Sequence, residues 1–142
     1  MYTGFKHLHS YLAYLLLALL LFAILYTAYC WIAKKPFLKS NRIVALLGLI
    51  AAHTQFLAGL ILYFLSPVGF TNLSGDAMKN SMSRLYVLEH PLIMLIAVVL
   101  VTIGYSKAKR LTVDSKKYRT IVIFYLIGLL LMLSRIPWQA WL

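Results

Sequence analysis

Four long apolar stretches, at about residues 8–33, 43–66, 83–106 and 119–138, take up most of this chain. Each reaches the roughly 20 residues that a helix needs to cross a hydrocarbon core of about 30 Å. In lipid the backbone N–H and C=O groups must find partners within the segment, so stretches of this length fold as helices. A hydrophobic share of 63%, against 12% charged residues, is too apolar for a water-soluble globule. The expected fold class is all-α, an integral membrane four-helix bundle forming one domain over residues 1–142. The first stretch opens with polar residues, and no small-residue cleavage site follows its apolar part, so it reads as a retained span and not as a removed signal.

The connections are short, which makes successive helices antiparallel neighbours in an up-down-up-down order. Their charges set an orientation. The first connection holds Lys34, Lys35, Lys39 and Arg42, and the third holds Lys107, Lys109, Arg110, Lys116, Lys117 and Arg119 against the single acid Asp114. By the positive-inside rule these two face the cytoplasm, and the N- and C-termini lie on the outer, non-cytoplasmic side. Tyr2, Phe5, Tyr11, Tyr14, Trp138 and Trp141 form an aromatic belt at the outer end, and Tyr29, Trp31, Tyr105 and Tyr118 form one at the inner end. The localisation this implies is a bacterial inner membrane, crossed several times. Basic loops of this kind also draw anionic lipid headgroups.

The same pattern excludes several classes of function. The formal net charge of +11 punctuates apolar runs instead of forming one solvated patch, so nucleic acid is not an expected partner. A lone cysteine, Cys30, makes neither an internal disulfide nor a thiolate metal motif. With three acids in the whole chain, a carboxylate metal cluster and a hydrolytic zinc site are both poorly supplied. Nothing pairs a nucleophile with an orienting base, so no independent catalytic activity is expected.

Ionisable groups inside a span cost several kcal/mol and tend to mark a site, which singles out His9, His53, Glu89, His90 and Arg135. His53 lies mid-helix and cannot snorkel to either interface. Facing histidines between helices of an apolar bundle are the arrangement that holds a b-type haem, through one or two imidazole nitrogens. The expected iron pair is His53 with His90. The alternative is His9 with His90 near the outer face, with His53 left to a proton-handling role. By helical geometry Tyr86, Met94, Ala97, Val101 and Gly104 share the face of His90, and the small residues leave room for a flat ligand. Tyr86 and Met94 are expected to line the cofactor, with His9 beside it. Arg135 offers a fork to a carboxylate such as a haem propionate. Glu89 is expected in an ion pair with Arg84, Arg135 or Lys6. Pro91 frees the carbonyl of Val87 and kinks the third helix beside His90. The face of His53 carries Leu46, Leu49, Leu57, Leu60 and Phe64, which reads as an apolar wall of the site. The line Gly48, Ala52 and Gly59 reads as a surface for close helix approach.

The pieces His7-Leu8-His9-Ser10, His53-Thr54-Gln55, Gly59 to Pro67, Glu89-His90, Ser106-Lys107-Ala108-Lys109 and Arg135-Ile136-Pro137-Trp138 resemble a family of short bacterial four-helix membrane proteins described as cytochrome b-like. The likeness spans nearly the whole chain. It implies a haem b held by histidines and an electron-transfer role, with His9, His53 and His90 as the positions carried over. The expectation is therefore a small membrane electron carrier that works with a larger redox or respiratory assembly and takes electrons from quinol or a protein partner. Two other readings stay open: a non-haem accessory subunit of a larger membrane complex, and a quinone-binding or proton-conducting protein using His53 and Glu89.

Overall fold

The computed structural model describes residues 1–141, and among them the regular structure is all helical. Four helices are long and apolar enough to cross a membrane: α1 (Tyr2–Ile32), α2 (Lys39–Leu65), α3 (Ser81–Arg110) and α4 (Asp114–Ser134). All four begin before the apolar stretches that announce them. Hydropathy delimits the part that must sit in hydrocarbon, whereas the helix itself continues into the headgroup layer, where Lys39, Ser40 and Lys107 are tolerated.

The ends of α3 and α4 have local causes. Asn80 caps α3, its side-chain oxygen accepting from the N–H groups of Met82 and Ser83 at 3.0 Å each. α4 stops at Ser134, short of the expected 138, because Arg135 leaves the helical region (φ −128, ψ 19). The helix cannot run on unbroken past this point, since Pro137 has no N–H and biases Ile136 away from the helical conformation. A short helix, Trp138–Trp141, follows.

Adjacent helices run antiparallel, as their contacts show. On α2, Gly59 lies against His9 and Gly48 against Leu20 and Ala23 of α1. Between α2 and α3, Tyr63 meets Val87 and His53 meets Thr102. Between α3 and α4, Gly104 lies against Phe124 and Gly128 against Val101. α4 also packs on α1, which closes a ring of four helices. One end of the bundle therefore gathers Tyr2, Leu65, Ser81 and Ser134 (the histidine end), and the other gathers Ile32, Lys39, Arg110 and Asp114 (the basic end).

Small residues line much of the interior, beside larger ones such as Leu20 and Ile121. Ala23, Ala45, Gly48, Ala52, Ala97, Gly104, Ala108 and Gly128 are buried, while Phe22, Leu25, Leu57, Leu60, Phe64 and Leu130 are exposed on the outside. This is the pattern of a protein solvated by lipid, where bulky apolar side chains gain nothing from turning inward and close backbone approach is what dispersion rewards. One large side chain crosses the middle: Tyr125 of α4 is fully buried, and its hydroxyl donates to the carbonyl of Ala45 on the facing α2 at 2.7 Å.

Candidate functional site

The histidine end is shaped first by a disturbance in α3. Leu85–Glu89 form one turn of π-helix, in which the N–H of His90 reaches back to the Leu85 carbonyl. Pro91 follows, and having no N–H it leaves the carbonyl of Val87 free of its helical partner. The hydroxyl of Tyr63 donates to that carbonyl at 2.8 Å. The turn that carries His90 is thus irregular but satisfied, and it is pinned to α2. Such single π turns recur at functional sites.

His90 projects toward α4. Its Nδ1 stands 2.7 Å from the backbone carbonyl of Arg135, a group left without a helical partner because α4 has just ended. A carbonyl can only accept, so Nδ1 carries the proton and Nε2 keeps a free lone pair. Histidines that ligate a metal are held in this way, by a carbonyl on the nitrogen away from the metal.

Across the bundle, His9 of α1 faces His90. Their ring centroids are 6.1 Å apart and their planes are nearly perpendicular, at 88°. His9 is held from two sides. Its backbone carbonyl accepts from the buried Gln55 side chain at 2.8 Å. Its ring lies against Gly59, where an added Cβ would come within 2.8 Å of Cε1. The Nδ1 of His9 is buried and has no hydrogen-bond partner, which is an uncomfortable state for a polar atom in lipid.

Above the pair lies an ion cluster. Glu89 receives the Arg84 guanidinium at 2.9 Å and stands 3.8 Å from that of Arg135. Arg84 also donates to the Met78 carbonyl, tying the connection between α2 and α3 into the cluster. Of the partners expected for Glu89, Arg84 and Arg135 are the two it finds. Arg135 therefore serves His90 through its carbonyl, while its guanidinium is shared between Glu89 and the Ser134 carbonyl.

The structure does not bring His53 and His90 together. His53 sits opposite Thr102, and the stretch of α3 from His90 to Thr102 rises roughly 18 Å. Tilt or a kink at Pro91 does not close a gap of that size. His53 is also exposed, on the outer rim between α2 and α3. Its Nε2 is 2.9 Å from the Thr102 hydroxyl, which donates its one hydrogen to the Val98 carbonyl at 2.7 Å. Nε2 is accordingly the donor, and Nδ1 is left as an acceptor. Of the wall read from the sequence, Leu57, Leu60 and Phe64 are exposed with it, while Leu46 is half-buried and Leu49 packs against the core. Met94 packs against the core, and Tyr86 is half-buried on the same stripe of α3 as His90.

Gly59, Gln55, Tyr63 and the Arg135 carbonyl are parts of this site that sequence reasoning passed over. The small-residue line of α2 was the available signal for Gly59, because a gap one Cβ deep can admit a side chain as readily as a helix. Among the described residues no group of three or more His, Cys, Asp and Glu side chains is placed to hold a metal ion. The donor set at hand is two facing imidazoles. Two imidazoles alone do not complete a metal's coordination, so a metal held here would need its remaining ligands from another source, such as a macrocycle. The chain matches no protein-family model, no curated protein and no solved structure.

Proposed function

We propose that this chain is a membrane electron carrier that holds a haem b between His9 and His90. The observation that carries the reading is the facing of these two rings across the bundle, with His90 anchored through Nδ1 so that Nε2 is free. Haem iron, when bound, supplies one-electron exchange between its ferric and ferrous states. His9 and His90 would hold the iron in this reading, each through one ring nitrogen. Gly59 gives His9 its place, Gln55 fixes the backbone beneath it, and Tyr63 holds the irregular turn before His90. Arg84 and Arg135 supply cations for propionate carboxylates at the rim, shared with Glu89.

The basic end faces the cytoplasm of a bacterial inner membrane in this proposal, and the histidine pair lies toward the outer leaflet. Electrons come from quinol or from a partner protein. A second reading, a subunit of a larger membrane assembly, is favoured by the exposed His53–Thr102 pair, since polar side chains turned outward at mid-span are the usual glue between transmembrane helices. The two readings are compatible, and a haem protein can be such a subunit.

The test is a reduced-minus-oxidised absorption spectrum of the detergent-purified protein and of three variants. The expected result is a sharp α-band of six-coordinate b-type haem that His9→Ala and His90→Ala each abolish and His53→Ala retains. A colourless wild type after expression with ample haem sinks the proposal and leaves the assembly reading.

A further inference from the structure

The basic end holds a cavity that the histidine site does not use. It measures about 480 Å³ and lies between the end of α1, the first connection and the start of α4, lined by Trp31, Lys34, Lys35, Asp114, Ser115 and Tyr118. Its walls are fixed. Tyr118 is buried, and its hydroxyl points its one hydrogen between the carbonyls of Lys35 and Pro36, each at 3.0 Å, which ties the connection to α4. The backbone of α1 ends in a Schellman closure, with Lys35 N–H on the Cys30 carbonyl and Lys34 N–H on that of Trp31. The left-handed position of that closure ordinarily goes to glycine, yet here it is Lys34, at φ 55. The ammonium group of Lys35 lies 4.9 Å from the centre of the Tyr29 ring, on the last turns of α1.

Two cations face one carboxylate, Asp114, in this cavity. The other two acids of the chain, Asp76 and Glu89, are in the connection and helix turn at the far end, while Lys39, Arg42, Lys116, Lys117 and Arg119 belong to the same end of the bundle without lining this cavity. With two lysines against one aspartate the lining carries a net positive charge, which favours an anion. Trp31 is half-buried in its wall at the point where the apolar part of α1 gives way to lysine. An indole beside ammonium groups at that level suits a ligand with a charged head and an apolar body.

We infer that this cavity is a site for a phosphate group, supplied by the headgroup of an anionic glycerophospholipid in the cytoplasmic leaflet. The inference is independent of the haem site at the other end. It differs from the general attraction of basic loops in naming which cations count: Lys34 and Lys35 line the cavity, whereas Lys39, in the same connection and equally exposed, does not.

The experiment uses the full chain with Trp138→Phe and Trp141→Phe, so that Trp31 is the single remaining tryptophan. It is placed in vesicles containing brominated phosphatidylglycerol or, at equal bromine content, brominated phosphatidylcholine, and Trp31 fluorescence is read. Stronger quenching by the anionic lipid is expected. Lys34→Gln and Lys35→Gln should each weaken that preference about fivefold, and together about 25-fold. Lys39→Gln should leave it unchanged, and Asp114→Asn should strengthen it, an outcome that misfolding cannot mimic. Equal quenching by the two lipids, or an equal loss from Lys39→Gln, overturns the inference. Inorganic phosphate added in the aqueous phase decides the source: no displacement supports the lipid, and full displacement overturns it in favour of a soluble phosphate ligand.

Discussion

His53 and His90 look alike in the sequence, each an imidazole within an apolar span, and they end in opposite environments. His90 is turned into the bundle, anchored on the Arg135 carbonyl and facing His9. His53 is turned out, with its one contact on Thr102 at the rim. What separates them is the company each keeps. The stripe of His90 contains Ala97, Val101 and Gly104, all buried, and that of His9 contains Leu16, Leu20, Ala23 and Thr27, also buried. On the stripe of His53, Leu57, Leu60 and Phe64 are exposed, and only Leu46 and Leu49, toward the basic end, are half-buried. In water a bulky apolar face marks the inside. In lipid it marks the outside, and small residues mark the helix contacts.

The comparison can be broken most severely at Gly59. A valine there would press on the His9 ring, which an added Cβ already meets at 2.8 Å. Overpacking of this kind costs about 1–3 kcal/mol, and in the haem reading it should also bleach the protein. The check is haem content per chain alongside a thermal unfolding midpoint in detergent. Leu57→Val, on the exposed face of the same helix, is the matched control and should leave both unchanged. If Gly59→Val keeps a wild-type spectrum, the ring pair is not the site.

A smaller effect is expected from the support beneath His90. Tyr63→Phe removes the donor to the Val87 carbonyl and should cost about 1 kcal/mol. Pro91→Ala supplies a helical N–H to the same carbonyl, so in that background Tyr63→Phe should cost roughly 0.5–1 kcal/mol less. A double-mutant cycle on unfolding free energy reads the difference. Additive losses would mean that the hydroxyl and the proline do not share one carbonyl.

The smallest effect belongs to the outward pair. His53→Ala and Thr102→Val each remove a hydrogen bond between membrane helices, for which about 0.6 kcal/mol is typical. Neither should change the spectrum of the purified protein. Bleaching by His53→Ala would return that residue to the cofactor and erase the contrast drawn between the two histidines. Loss of copurifying membrane partners in His53→Ala, with the spectrum intact, would sharpen the contrast by giving the outer face a role of its own.

Hydropathy along the chain by itself determined the four spans, their approximate limits and the two basic connections, because a helix in lipid needs only length and apolarity to declare itself. It also marked Pro91 and the freed Val87 carbonyl, since proline acts on its own helix whatever surrounds it. The rotation of each helix about its axis, and the level at which it meets its neighbours, were decided by the tertiary structure. Gly59 admitting His9, Thr102 standing opposite His53 and α4 ending so that the Arg135 carbonyl meets His90 are three outcomes of that packing. Periodicity states which residues share a face but not what the face looks at. That choice is made by the close fit of small residues between helices, a property of pairs of helices that no single stretch of sequence contains.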